Sequence, residues 1–177
     1  MSGYQKARLE SYLSGAKEKA VKDTANDWKR CASVLSIIST ALADASPKMK
    51  EEIGGKTGPA VDAEFTKAAE TMKLRAETLT AGSAKLESVA QVMADAREVK
   101  DTMKDIEPPT KPTRTPGSST ADEETAQQTY DTDHGIYLAQ VDAQEAKAEK
   151  WANAMNTDFQ DAIPAMRAIS GYEPPPP

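Results

Sequence analysis

The feature that most constrains this chain is a cluster of three glycines and one proline between residues 54 and 59. Long segments on both sides repeat apolar residues at intervals of three and four, the spacing of one helix face. Glycine and proline end helices and allow the backbone to reverse. The pattern therefore predicts a long helical hairpin over residues 1–106, with its turn at residues 53–59.

Two further segments follow the hairpin. Residues 107–119 contain four prolines and are predicted to form an extended, proline-rich linker. Residues 120–170 again show helical periodicity, which predicts a third long helix packing on the hairpin. Residues 171–177 end in four consecutive prolines, and this composition predicts a disordered tail.

The three helical segments are similar in length, so the sequence predicts an all-α fold, an elongated antiparallel bundle of long helices. Gly135 and Pro164 lie inside the third segment, and both residue types weaken helices. We therefore expect the regular part of this helix to extend only over about residues 136–163. Three such helices leave a flank on which another helix can pack.

Composition narrows the classes of partner. Aromatic residues make up 5% of the chain and its mean hydropathy is -0.63, so the core must use many alanines. The net charge is -6, and the 22 basic residues are interspersed with acidic ones. Nucleic-acid binding needs clustered Lys and Arg, so nucleic acid is not a predicted partner. We expect no classical signal peptide, because the N-terminus has no apolar region, and no membrane-spanning segment, because the longest strongly apolar run, Cys31–Ile38, is too short.

The sequence offers little for catalysis. Cys31 lies on an apolar helical face, where we expect a buried small side chain rather than a reactive thiol. His134 with Asp131 and Asp133 can in principle hold a metal, but a solvated helix start explains them more simply. A thiol–imidazole pair of Cys31 with His134 is less favoured, and no hydrolase, zinc or phosphate-loop motif occurs. We predict no enzyme, catalytic residue, cofactor or metal.

The turn carries a resemblance to a known family. Ile53 is followed at two residues by Gly55, and Ala60, Ala63 and Phe65 open the next helix. This arrangement resembles the WxG-type proteins of type VII (ESX) secretion, in which a Trp-x-Gly turn joins two antiparallel helices. Ile53 stands in the place of the tryptophan and Gly55 matches the glycine. We interpret Ile53 as an apolar plug at the end of the core, and Gly55 as the residue that lets the chain reverse.

The wider layout, over about residues 24–177, resembles PPE proteins and EspB-like secreted substrates of the same systems. Such proteins carry an export signal, a tyrosine followed at four residues by an acid. No tyrosine here has that spacing; Tyr130 has Asp133 at three and Tyr137 has Asp142 at five. These four residues are the candidate export signal, and the departure leaves open whether a partner carries the signal instead.

The resemblance implies a non-enzymatic substrate or associated protein of type VII secretion, secreted without a classical signal peptide. Its expected partners are the secretion machinery and either a small helical protein or further copies of itself. Two alternatives are compatible with the same sequence. The chain can be a cytoplasmic coiled-coil adaptor or chaperone-like partner, or the N-terminal delivery domain of a longer secreted toxin.

Overall fold

The structure is a computed structural model that describes residues 3–114, 117 and 119–171. The described part of the chain is an all-α helical bundle without strands, which confirms the predicted fold class. The tail predicted for residues 171–177 lies, after Gly171, outside the described residues. The helices are α1 (Tyr4–Ser14), α2 (Glu18–Ile53), α3 (Thr57–Thr102) and α4 (Thr120–Ser170).

The predicted hairpin over residues 1–106 differs from the structure at its start and at its end. A break from Gly15 to Lys17 divides the first segment into α1 and α2, because glycine weakens a helix. At the other end, α3 stops at Thr102 and an extended chain begins at Met103. The turn itself is short, since α2 ends at Ile53 and α3 begins at Thr57.

Helix α4 has the bounds of the predicted third helix, residues 120–170, but it is regular over a longer part of that range than expected. It continues through both Gly135 and Pro164, so the expected limits of 136–163 are wrong. A glycine costs a helix interior about 1 kcal/mol, and a proline removes one backbone hydrogen bond. A helix of 51 residues, with half-buried or buried side chains recurring from Tyr130 to Ile169, can absorb both. Ser119 caps its start, because the Asp122 N–H donates to Ser119 Oγ over 3.3 Å.

The described residues divide into two compact units. The first unit contains the chain up to Ala16 and residues Met93–Met155, and the second contains Lys17–Val92 and the chain from Asn156 onward. Helices α3 and α4 therefore each contribute to both units. The position of this division matters for the sites below, because each of them lies within a single unit.

In the second unit, α2 and α3 run antiparallel. Ser39 Oγ donates to the Ala69 carbonyl over 2.8 Å, and Ser46 Oγ reaches the Asp62 carboxylate over 2.6 Å. The last part of α4 joins α3 through a bond from the Ser88 hydroxyl to the Asp158 carboxylate. Nine of the fifteen buried apolar residues in the described chain are alanines. The helices therefore pack closely on small side chains, as the low aromatic content predicts.

In the first unit, α1 is fixed to α4 by one carboxylate. The backbone N–H of Gln5 donates to Glu145 over 2.8 Å, at the helix end where orphan N–H groups favour an anion. Leu9 of α1 is also fully buried. A helix of 11 residues is marginal alone, so these contacts hold α1 in place.

Candidate protein-interaction sites

The turn between α2 and α3 does not use Ile53 as a plug. Ile53 is the last residue of α2 and remains 43% exposed, so the structure corrects the interpretation that its side chain closes the core. Gly54 and Gly55 have φ of +62° and +57°, a region that L side chains rarely adopt. The role assigned to Gly55, reversal of the chain, agrees with this backbone conformation.

A different glycine closes the turn. Gly58 is buried in the first turn of α3, and a Cβ built there would lie 2.6 Å from the Lys50 carbonyl oxygen. No side chain fits at that distance, so only glycine lets α3 approach α2 this closely. The sequence signal was present, since Gly58 belongs to the cluster at residues 54–59. The family resemblance assigns the chain reversal to Gly55 and gives no role to Gly58.

A polar cluster lies next to the turn. The Asp62 carboxylate accepts hydrogen bonds from the Ser46 hydroxyl at 2.6 Å and from Lys50 Nζ at 3.2 Å. These two bonds, the first more than the second, lower the pKa of the Asp62 carboxyl. Ser46 is buried although its side chain is polar, and the bond to Asp62 satisfies its hydroxyl. The cluster therefore fixes the register of α2 on α3 near the turn.

The second unit also presents apolar side chains to solvent. Val34 and Ile37 on α2 are 55% and 67% exposed, and Leu74 on α3 is 65% exposed. A cleft nearby on the same unit is lined by Leu35, Leu74, Leu79 and Ile169, among other residues. Adjacent exposed apolar side chains mark interaction sites. Val34, Ile37 and Ile38 lie on one side of α2 at intervals of three and four, and we call these three residues the apolar face.

The candidate export residues lie in the middle of α4, in the first unit. The rings of Tyr130 and His134 stack with centroids 5.5 Å apart, and those of His134 and Tyr137 with centroids 6.0 Å apart. All three side chains are half-buried. The interpretation of His134 as part of a solvated helix start is therefore wrong, because α4 begins at Thr120.

The two acids of the candidate signal are both exposed. Helix geometry places Asp133 about 60° around α4 from Tyr130, and Asp142 about 140° around from Tyr137. Only the first pair shares a helix face. Of the two candidate signals, Tyr130 with Asp133 therefore presents tyrosine and carboxylate together, whereas Tyr137 with Asp142 does not.

The chain that connects α3 to α4 runs along α4. We call residues Met103–Arg114 the proline strap. Near its start, Gln144 Nε2 donates to the Lys104 carbonyl over 2.8 Å, and at its end Arg114 Nε donates to the Glu123 carboxylate over 3.1 Å. The strap, which contains the first part of the linker predicted over residues 107–119, is thus attached to α4 at two points.

The strap also contacts α1. Lys6 Nζ of α1 donates to the Asp105 carboxylate over 2.9 Å, and this bond lowers the pKa of Asp105. The ion pair is solvent-exposed on the Asp105 side, and exposed pairs contribute little to stability. The Lys6–Asp105 pair instead holds the start of the strap beside α1.

The structure corrects one expectation about reactive groups. Cys31 is exposed rather than buried, since the contact line of α2 passes through its neighbour Ala32, which is 5% exposed. Cys31 lies in the second unit and His134 in the first. Among the described residues, no group of three His, Cys, Asp or Glu side chains is arranged to hold a metal ion. Likewise, no helix in this part of the chain is both long and apolar enough to cross a membrane.

Comparisons with protein-family models, curated proteins and solved structures find no significant match to this chain. Its function is therefore inferred from its own residues.

Proposed function

We propose that this chain is a non-enzymatic helical protein that acts by protein–protein association, as a substrate or associated protein of type VII secretion. The observation that carries the association part is the apolar face of the second unit. Its Val34 and Ile37 side chains are 55% and 67% exposed, in a protein whose core consists largely of alanine. Large apolar side chains at the surface and small ones inside indicate that these helices have a further surface to bury.

The secretion part of the proposal is supported by the turn and by Tyr130. A tight helical turn with Gly55 in the left-handed region is compatible with the WxG-type resemblance. Tyr130 and Asp133 share one face of α4, as an export signal made of a tyrosine and an acid requires. The experiment tests whether a tyrosine and an acid spaced by three residues, rather than four, act as an export signal.

The experiment is export from the native host. Culture filtrates with and without the type VII ATPase are compared, with a cytosolic protein as lysis control. We expect ATPase-dependent appearance of the wild type in the filtrate and retention of Tyr130→Ala. The matched control is Tyr4→Ala, because Tyr4 is 66% exposed on α1 and lies outside the candidate signal. Retention of the wild type in both strains would reject autonomous export.

Association is tested separately with purified protein by light scattering and by capture of helical partners encoded nearby. Ile37→Asp places a charge in the apolar face and is expected to abolish the association. Ile136→Asp is the control, since Ile136 is 52% exposed on α4 in the first unit. If both substitutions, or neither, disrupt the complex, the apolar face is not the interface.

A cytoplasmic adaptor is the second candidate function. The observation that favours it is the missing strict export spacing after every tyrosine of the chain. The same two experiments separate the candidates. An adaptor associates through the apolar face and stays in the cell pellet, whereas a substrate associates and appears outside.

A further inference from the structure

The proline strap and the face of α4 on which it lies have matching lengths. From Lys104 to Arg114, an extended chain at ~3.1 Å per residue covers ~31 Å. From Glu123 to Gln144, the residues that bind the two ends, α4 rises ~32 Å at ~1.5 Å per residue. The strap therefore runs antiparallel along α4 in an extended conformation, without slack between its two attachments.

Burial along the strap repeats every third residue. Met103, Ile106, Pro109 and Pro112 are half-buried, and every other residue of the strap is exposed. A polyproline II helix has three residues per turn, so these four side chains form one face of such a helix. That face is turned inward along its whole length, and the charged side chains of the strap point to solvent.

A complementary face exists on α4. Tyr130, His134, Tyr137 and Val141 are half-buried and follow one another at intervals of four, three and four. We call them the aromatic stripe. Five residues of strap beyond Lys104 span ~16 Å, which corresponds to about ten residues of α4. Counted back from Gln144, this register places Pro109 level with His134, between the two tyrosines.

The far end of the strap agrees with this register. Pro112 and Arg114 line a cleft on α4 together with Glu123, Ala126 and Gln127. The register places Pro112 opposite residue 127, about two helical turns before His134. The two hydrogen bonds and the cleft thus agree with one alignment of the strap along α4, and the burial period identifies the face of the strap that is turned inward.

We propose that the aromatic stripe is a binding surface for proline-rich extended segments, that the strap occupies it within the chain, and that a proline-rich segment of a partner protein binds there when the strap is displaced. Aromatic grooves bind polyproline II segments because proline rings pack on aromatic rings, and because the ligand is already ordered. The ligand carries proline or an apolar residue at every third position. It also carries an arginine two residues after the last proline, for Glu123.

The tethered strap has an advantage over a free peptide in binding to the aromatic stripe. It is tethered at both ends, so its effective concentration at the stripe is on the order of millimolar or above. A free peptide is therefore excluded from the wild-type protein at ordinary concentrations. Weakening the strap without removing it makes the stripe available and allows the surface to be tested in the full chain.

His134 provides the measurement. It is the single histidine of the chain, so its two imidazole carbon-bound protons are identified by NMR without assignment. The adjacent rings of Tyr130 and Tyr137 make their chemical shifts sensitive to what covers the stripe. Pro109→Ser changes a half-buried position and Pro108→Ser its exposed neighbour. We expect the first substitution to move the His134 signals several-fold more than the second.

Binding is then measured with a synthetic peptide of residues 103–114. The protein is the full chain with Ile106→Ser, Pro109→Ser and Pro112→Ser, whose helix content is checked by circular dichroism. We expect the peptide to return the His134 signals saturably toward their wild-type positions. We expect no effect from the same peptide with Pro109 and Pro112 replaced by serine. We also expect no response of the wild-type protein to the unchanged peptide.

Two results would overturn the proposal. Equal effects of Pro108→Ser and Pro109→Ser would show that the strap does not lie in the stated register. Absence of a response to the peptide in the folded triple variant would show that the stripe does not bind such segments. Neither measurement depends on secretion, so the proposed function and this inference can fail separately.

Discussion

Gly82 allows the strongest test of the packing in the second unit. It lies in the middle of α3, and a Cβ built there would be 2.3 Å from Ile169 Cδ1 and 2.9 Å from Trp28 Cζ3. Alanine favours a helix over glycine by about 1 kcal/mol, but forcing a methyl group into a filled core costs about 1–3 kcal/mol. Because the Trp28 ring is rigid, we expect Gly82→Ala to lower the free energy of unfolding by about 1 kcal/mol.

Gly135 is the matched control. It also lies inside a helix, but nothing is within 4 Å of a Cβ built at this position. Gly135→Ala is therefore expected to raise the free energy of unfolding by about 0.5–1 kcal/mol. The two variants should differ by roughly 2 kcal/mol, which corresponds to about 4–8 °C in Tm for a chain of this size. Thermal and urea unfolding followed by circular dichroism measure this difference.

A second substitution identifies the source of the cost. Ile169→Val removes the Cδ1 atom that lies nearest the built Cβ, so in the Gly82→Ala background it should recover part of the lost stability. In the wild-type background it should cost about 0.5–1.5 kcal/mol. If Gly82→Ala stabilises the protein as much as Gly135→Ala does, the close packing of α3 against Trp28 and Ile169 is refuted.

Three further predictions concern the second unit. Gly58→Ala should destabilise the protein by about 1–3 kcal/mol in urea unfolding, because its Cβ would meet the Lys50 carbonyl. Hydrogen bonds from Ser46 and Lys50 lower the pKa of Asp62 in the folded state, so their stabilisation is present at neutral pH and is lost as pH falls through that pKa. The stability difference between wild type and Asp62→Asn should therefore shrink from pH 7 to pH 3. Cys31 is exposed, so the folded protein should be alkylated completely without denaturant, as mass spectrometry can show.

The helical class of the protein was predictable because a period of three to four residues is a local property of the sequence. Which side of each helix is most deeply buried was harder to predict. Cys31 and Ala32 are neighbours, and a helix separates them by about 100°. Close packing on alanine selects Ala32 for the contact line and leaves Cys31 in solvent. Large apolar residues usually reveal the buried face, but here small ones define it.

Other features depend on residues far apart in the chain. The space filled by Trp28 and Ile169 above Gly82 cannot be inferred from the sequence near Gly82, which indicates only a weakened helix. Periods can also be overlooked where no helix is expected. Ile106, Pro109 and Pro112 repeat at intervals of three, but Ile106 falls at the predicted end of the hairpin and the two prolines fall in the predicted linker. That spacing becomes meaningful only when the aromatic stripe of α4 lies beside it.

For a substitution of Ile53, the family resemblance and the observed exposure predict different losses of stability. If Ile53 plugs the core as a tryptophan does in the WxG-type turn, Ile53→Asp should cost a few kcal/mol. Its 43% exposure instead lets a carboxylate reach water, so we expect a loss of less than about 1 kcal/mol, part of it from an acid at a helix C-terminus. Leu86→Asp is the comparison, since Leu86 is 4% exposed, and burying its charge should cost at least about 3 kcal/mol. Equal losses of unfolding free energy in the two variants, measured in urea, would support the interpretation of Ile53 as a plug of the core. A small loss of stability in Ile53→Asp would show that the core does not need this side chain, which is then free to contact a partner. The same variant could be used in the association assay, because its folding would be intact.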